Sequence, residues 1–266
     1  MPVNEIPRLG IGTWQNEDPE QCAKSVETAL EIGYRHVDTA QAYGNEEAVG
    51  DGIARADVNR DNIFLATKVW TSELSYDDVL RSTEKSLKRL GVDTVDILYV
   101  HWPSGEYDAE ETLGALNELY DEGKTRRIGV SNFTPEHLEE AIEVSDAPIA
   151  ANQIEMHPLL QQREMVEFAG ERDVEVVAYS PLARGKIFEV DELNEIAEKH
   201  GVSEAQISLA WLMEKGVHPI PKATSESHIR DNYGALELEL DDEDVEKIDS
   251  INRTNRLIDP DFAPAW

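Results

Sequence analysis

Four side chains in this sequence are suited to moving a proton onto an oxygen, and their positions are related. Asp38, Lys68 and His101 each close a short apolar run, and Tyr43 follows Asp38 by five residues. A lysine beside a buried aspartate keeps its charge. A charged lysine beside a phenol favours the phenolate and lowers the phenol's pKa from about 10. A tyrosine so placed acts as a general acid, which is what carbonyl reduction requires, because hydride arriving at carbon leaves negative charge on oxygen. His101 would offer that oxygen a hydrogen bond. Singly, each residue has a plainer reading: Asp38 as a helix cap, Lys68 as the partner of any nearby carboxylate, His101 as a satisfied core histidine, Tyr43 as a lid on the core. Their joint arrangement favours the chemical reading.

The elements that must position them alternate along the chain. Eight short strand-like runs, RLGIGT, RHVDTA, IFLATKV, VDILYVH, RIGVSN, AANQIE, VEVVAYS and VHPIPK, are separated by segments of helical period. Helix starts are marked by Asp18 before Pro19, Ser75 three residues before Asp78, Thr134 before Pro135, and Ser203 with Gln206 as a capping box. Val79, Thr83, Leu87 and Leu90 form one apolar stripe. A repeat of about 30 residues is the size of one βα unit, and eight such units over about 250 residues describe a (β/α)8 TIM barrel, an α/β fold. GIGTWQNEDP lacks the G-x-G-x-x-G spacing of a doubly wound dinucleotide fold. No linker divides the chain, so the reading is a single domain over residues 1–266, with DDEDVEKIDSI as an extra C-terminal helix and a short tail.

In such a barrel the chemistry sits at the carboxyl ends of the strands. Nearly every run ends in a polar residue there: Thr13, Asp38, Lys68, His101, Ser131 with Asn132, Gln153, Tyr179 with Ser180, and Lys222. Trp14, Trp70 and Trp102 stand just beyond strand ends, and Trp266 closes the tail. Together they predict an aromatic wall for an apolar substrate.

Composition limits what the site can serve. Asp and Glu number 55 against 24 Lys and Arg, a net charge of -31, so phosphate backbones are repelled and nucleic acid is excluded as a partner. The acids are spread over polar helix faces, and self-repulsion on that scale calls for abundant counter-ions. The expectation is a halophilic protein of a salt-rich cytoplasm. Cys22 is the single cysteine, which suits a reducing compartment. The opening MPVNEIPRLGIG shows no secretory pattern, and no apolar run is long enough to span a membrane. A soluble, cytoplasmic protein is predicted, with dispersed charge favouring a monomer.

GIGTW, DTAQAYGNE, ATKVW, DILYVHWP, RRIGVSNF, ANQIEMHP, VVAYSPLARG and PIPKAT occur in order over residues 6–252, and together they resemble the aldo-keto reductases, notably the diketogluconate-reductase-like prokaryotic members. The resemblance implies reduction of a small aldehyde or ketone with NADPH or NADH on the barrel top and no metal. It gives Tyr43 as acid, Lys68 as its modulator, Asp38 as partner of Lys68, and His101 as the group that orients the carbonyl. Ser131, Asn132 and Gln153 would hold the nicotinamide carboxamide, and Tyr179 would stack on its ring. Ser180, Leu182 and Arg184 would approach the pyrophosphate, with Thr13 and Trp14 bordering the cofactor. Trp14, Trp70, His101, Trp102 and Trp266 would bound the substrate.

Departures from the family pattern fall on KATSESHIRDN. Lys222, Ser225 and Asn232 suit an adenosine 2'-phosphate, but His228 stands where NADPH-preferring members carry arginine. Histidine lacks the permanent charge and fork of arginine. NADPH is favoured over NADH or dual use on the strength of Lys222 and Ser225. Only six residues precede PRLGIGTW, which implies a reduced plug at the barrel bottom. Two other readings remain at this point: a nicotinamide-binding regulatory module without turnover, and a lyase using Lys68 as a Schiff-base amine.

Overall fold

A computed structural model describes residues 5–266. Eight parallel strands run in chain order, β1 (Ile11–Gly12), β2 (His36–Asp38), β3 (Phe64–Val69), β4 (Ile97–Val100), β5 (Ile128–Ser131), β6 (Ile149–Glu155), β7 (Glu175–Tyr179) and β8 (Val217–Pro219). The first and last strands close on one another. Gly12 pairs in parallel with Lys222, and the amides of Gly10 and Gly12 donate to the carbonyls of Pro219 and Pro221 at 3.0 Å. This is the (β/α)8 barrel that the alternation predicts.

The outer layer is helical: α1 (Pro19–Ile32), α2 (Glu46–Arg55), α3 (Tyr76–Leu90), α4 (Ala109–Asp121), α5 (Pro135–Val144), α6 (Arg163–Gly170), α7 (Asp191–His200), α8 (Glu204–Glu214) and α9 (Glu226–Gly234). The extra helix is α10 (Asp242–Asp249). Caps form where the sequence marks them: Asp18, Thr134 and Ser203 accept the amides of Gln21, His137 and Gln206. Ser75 differs, giving its hydroxyl to Asp78 at 2.8 Å instead of accepting an amide. Val79, Thr83, Leu87 and Leu90 of α3 are buried against the sheet, as their spacing requires. One departure from strict alternation occurs, two helices, α7 and α8, between β7 and β8.

Two apolar regions result. A large one joins helices to the outer strand faces. A small one fills the barrel, with Phe64, Ala66, Ile97, Tyr99, Ala151, Val177 and Ile220 pointing inward and Ile6 closing the bottom. Residues 1–4, part of the expected bottom plug, lie outside the described residues. Gly129 lets Tyr99 occupy the axis, since a Cβ there would fall 2.4 Å from the Tyr99 ring. The parity that turns Phe64 and Ala66 inward also turns Lys68 inward, one layer higher, where β2 brings Asp38.

Candidate active site

Asp38 and Lys68 meet at the top of the barrel core, each only 1% exposed. Lys68 Nζ lies 2.5 Å from Asp38 Oδ1 and donates to the Thr39 carbonyl at 2.8 Å. Its third contact is the Tyr43 hydroxyl at 3.4 Å. Asp38 Oδ2 accepts from Gln153 Nε2 at 2.7 Å, and the Asp38 carbonyl accepts from the Thr13 hydroxyl at 3.0 Å. With both carboxylate oxygens so engaged, Asp38 caps no helix.

Tyr43 reaches this pair because the chain turns sharply after β2. A 3-10 turn over Gln41–Tyr43 ends at Gly44, whose φ of 66° lies in the left-handed region that glycine tolerates. Asn45 accepts from Thr39 and donates to the Thr13 carbonyl, both at 2.9 Å, and Gln41 accepts the Trp70 amide at 3.1 Å. The turn is therefore tied to the ends of β1, β2 and β3. His101, just past β4, presents its ring edge to Tyr43 at a centroid separation of 5.7 Å and to Trp70 at 5.0 Å.

Electrostatics here are dominated by burial. It pushes the Asp38 carboxyl up and the Lys68 ammonium down, each opposed by the other's charge. His101 is pushed well below the ordinary histidine range, by burial first and by Lys68 second, and is neutral. Its Nδ1 is buried without a partner, so the tautomer with its proton on Nε2 avoids a stranded donor. Tyr43 departs from the sequence-based expectation. Burial, and then the Asp38 charge, push its phenol up, not down. The phenol thus stays protonated at neutral pH.

Above this floor opens a cavity of about 710 Å³, lined by Tyr43, His101 and Asp38. Trp14, Trp70 and Trp102 form part of its wall, as their positions predict. So do Thr13, Ser131, Asn132, Gln153, Tyr179, Ser180, Leu182, Arg184 and Lys222. The Tyr179 hydroxyl donates to Asn132 Oδ1 at 2.7 Å, Asn132 Nδ2 donates to the His101 carbonyl at 3.0 Å, and Ser131 Oγ donates to the Gln153 carbonyl at 2.8 Å. The Gln153 amide nitrogen is taken by Asp38, which leaves this group acceptors more than donors for a carboxamide. Ser180, Ala183 and Arg184 have positive φ although none is glycine, strained backbone of the kind found at ligand clamps. The Arg184 guanidinium lies 4.3 Å from the Trp14 ring centroid, roofing the cavity across from β1. A narrow polar wall at the floor, an aromatic Tyr179 and a cationic roof fit a nicotinamide cofactor.

Other predicted residues fall elsewhere. Ser225 caps α9 by accepting the His228 amide, and the His228 side chain is exposed. Asn232 is buried on the same helix, and none of the three lines the cavity. Arg230 pairs with Glu226 at 2.9 Å. Trp266 stands behind the wall, 6.1 Å from Trp102, and is 44% exposed. The tail contributes Ile258, Pro260 and Phe262 instead. Of these only Phe262 carried a sequence signal, as an aromatic residue near the chain end. Lys68 is no part of the cavity wall, and its ammonium is engaged by three oxygens, so the Schiff-base reading fails on access.

Comparison with known proteins agrees with this geometry. The model of the Aldo/keto reductase family matches residues 8–253. Methylglyoxal reductase DkgB of Escherichia coli O157:H7 is 42% identical over 98% of this chain and 99% of its own length. Glyoxal reductase of Bacillus subtilis (strain 168) is 40% identical over 95% of this chain and 91% of its own length. A crystal structure of a candidate 2,5-diketo-D-gluconic acid reductase B superposes with a TM-score of 0.95 at 38% identity, covering 98% of this chain and 94% of that one. Barrel and site thus define an NAD(P)H-dependent oxidoreductase that reduces carbonyl groups. The chain belongs to the aldo/keto reductase family. Among the described residues no helix is long and apolar enough to cross a membrane.

Proposed function

We propose that this enzyme reduces small aldehydes and ketones, 2-oxoaldehydes among them, with Tyr43 as the proton donor. The observation that carries the reading is the convergence of Lys68 Nζ on Asp38 at 2.5 Å and on the Tyr43 hydroxyl at 3.4 Å at the cavity floor. A bound nicotinamide supplies hydride. Neutral His101 donates its Nε2 proton as a hydrogen bond to the substrate oxygen and orients the carbonyl. As negative charge develops there, the Tyr43 hydroxyl transfers its proton. An alkoxide is far more basic than a phenol, so the transfer runs downhill even from a phenol whose pKa is raised. Lys68 faces the resulting phenolate, and Asp38 keeps Lys68 charged and fixed.

The cofactor is held by Ser131, Asn132 and Gln153 at the carboxamide, Tyr179 on the ring, Thr13 and Trp14 along one side, and Ser180, Leu182 and Arg184 toward the pyrophosphate. Lys222, Ser225, His228 and Asn232 border the adenosine end, and NADPH is favoured over NADH because Lys222 offers an exposed cation there. Trp14, Trp70, Trp102 and, from behind, Trp266 bound the substrate. The chain acts as a single-domain monomer in a cytoplasm. The glyoxal and methylglyoxal reductases among its relatives support the substrate class.

A panel of glyoxal, methylglyoxal, aromatic aldehydes and sugar carbonyls, assayed with NADPH and NADH in molar potassium chloride, tests this reading. Turnover of 2-oxoaldehydes with higher kcat/KM for NADPH is expected. Tight cofactor binding without oxidation by any carbonyl would favour a nicotinamide-binding regulatory module instead.

A further inference from the structure

Glu155, the last residue of β6, is a buried acid with no part in the chemistry above. It is 0% exposed. Its two oxygens receive backbone amides from far along the chain, Leu257 at Oε1 (2.8 Å) and Ile258 at Oε2 (2.9 Å). His157 completes the set with its Nε2 at 3.0 Å from Oε1. Because His157 Nδ1 is buried without a partner, the proton belongs on Nε2, and the imidazole donates to the carboxylate.

The connection that follows β6 also holds the chain that leads into this stretch. The Leu159 carbonyl accepts the Asn255 amide at 2.7 Å, and Gln161 Nε2 donates to the Ile248 carbonyl at 2.9 Å. Glu155 is the last point of this bracket before the tail crosses the cavity mouth.

Past Ile258 the tail is held differently. Pro260 and Phe262 line the cavity, and Phe262 sets its edge against Trp70 at 5.9 Å and Trp102 at 5.5 Å. Trp266 folds back on the tail, donating Nε1 to Asp259 at 2.9 Å and stacking on Arg256 at 3.7 Å. Phe262 remains 43% exposed, so its aromatic contacts alone hold this wall weakly. Two charge-assisted hydrogen bonds to adjacent amides fix both the position and the direction of the chain entering it.

We propose that Glu155 is a positioning residue that sets substrate selectivity: its carboxylate docks the tail whose Ile258, Pro260 and Phe262 wall the substrate end of the cavity. The favoured substrates carry an apolar or aromatic group beyond the carbonyl carbon, where it meets Trp70, Trp102 and Phe262. A two-carbon dicarbonyl reaches Tyr43 and His101 without touching the tail. The inference rests on the carbonyl-reductase reading above.

The test compares Glu155→Gln and Phe262→Ala with the unaltered full-length enzyme, using phenylglyoxal and glyoxal as paired substrates with saturating NADPH. Glutamine keeps one acceptor but turns a donor toward the second amide. Losing one charge-assisted bond in Glu155→Gln, or the ring itself in Phe262→Ala, then raises KM for phenylglyoxal about tenfold against glyoxal, with the NADPH dissociation constant within about twofold. Equal rises for both substrates mean a structural defect and overturn the proposal. Carboxypeptidase digestion followed by mass spectrometry reads tail release without any turnover. Trimming of residues 259–266 about tenfold faster in Glu155→Gln is expected, and unchanged trimming also overturns the proposal. If the unaltered enzyme turns over no carbonyl, the reductase reading fails while the trimming result still reports on the anchor. Should Glu155→Gln not fold, the phenylglyoxal-to-glyoxal KM ratio of Phe262→Ala and of a chain lacking residues 259–266 decides, and an unchanged ratio overturns the proposal.

Discussion

Replacing Lys68 with methionine separates the two roles proposed for this ammonium. The methionine side chain follows the aliphatic stem of lysine and removes the charge from a site that is 1% exposed. One role is electrostatic support of the reaction. At 3.4 Å from the Tyr43 oxygen, a unit positive charge attracts a phenolate by about 5 kcal/mol at an effective dielectric constant of about 20. Loss of most of that support slows turnover about a thousandfold. The other role is structural. Lys68→Met leaves Asp38 charged and buried, a cost of about 3 to 5 kcal/mol. Burial already pushes Asp38 up, and without Lys68 its folded pKa lies above the unfolded value of about 3.9. The folded state then holds a proton that the unfolded state gives up, so the deficit is small below about pH 4 and grows as pH rises through the folded pKa.

Adding Asp38→Asn to Lys68→Met removes the stranded charge while preserving an acceptor for Gln153 Nε2. Stability recovers by most of the 3 to 5 kcal/mol lost, roughly as for other buried ion pairs replaced as a unit. Turnover does not recover. Urea unfolding across pH and the oxidation of reduced nicotinamide measure the two quantities separately. Turnover within about tenfold of the unaltered enzyme in the single or the double variant would refute the reasoning, because the pair would then serve only to hold the fold.

Three further outcomes follow from other parts of the chain. His228→Arg places a permanent charge on an exposed position of α9 where Arg230 is already committed to Glu226, and it should tighten NADPH binding by roughly ten- to a hundredfold while leaving NADH nearly unchanged; equal effects on both cofactors would refute it. His36, fully buried with no hydrogen-bond partner at either ring nitrogen among the described residues, is pushed down to about 3 by that burial. The unfolded state takes up a proton below about pH 6.5 that the folded state refuses, so stability is lost as pH falls, by about 1.4 kcal/mol per unit. His36→Leu should reduce the slope of urea stability against pH by that amount between roughly pH 6 and 4, and an unchanged slope would contradict the assignment. With a net charge of -31, stability should rise through a potassium chloride series well beyond the Debye screening range, and a flat response would remove the halophilic reading.

The barrel was legible because its signals are local. Helix caps such as Thr134 and Ser203 and polar residues at strand ends are properties of short segments, and they put Asp38, Lys68 and His101 at the ends of three consecutive strands. What stayed hidden depends on contacts between distant segments. Gln153 reads as a free carboxamide partner until β6 brings it beside Asp38. Glu155 reads as one more acid in an acidic chain, yet it meets amides 102 and 103 residues away. The sense of the Tyr43 shift is hidden because the sequence shows the lysine but not the burial. Arg184 reaches Trp14 only through a run of positive φ, which the residues Ser180, Ala183 and Arg184 do not announce.

Tyr43→Phe tests the central claim most directly, since it deletes one oxygen and keeps the ring that packs against His101. The variant should bind NADPH with a dissociation constant within about twofold of the unaltered enzyme while kcat for methylglyoxal falls by a factor of about 10² to 10⁴, the usual worth of a positioned general acid. A variant that binds NADPH normally and keeps a kcat within about tenfold would contradict the account, because the proton would then reach the substrate oxygen from another group.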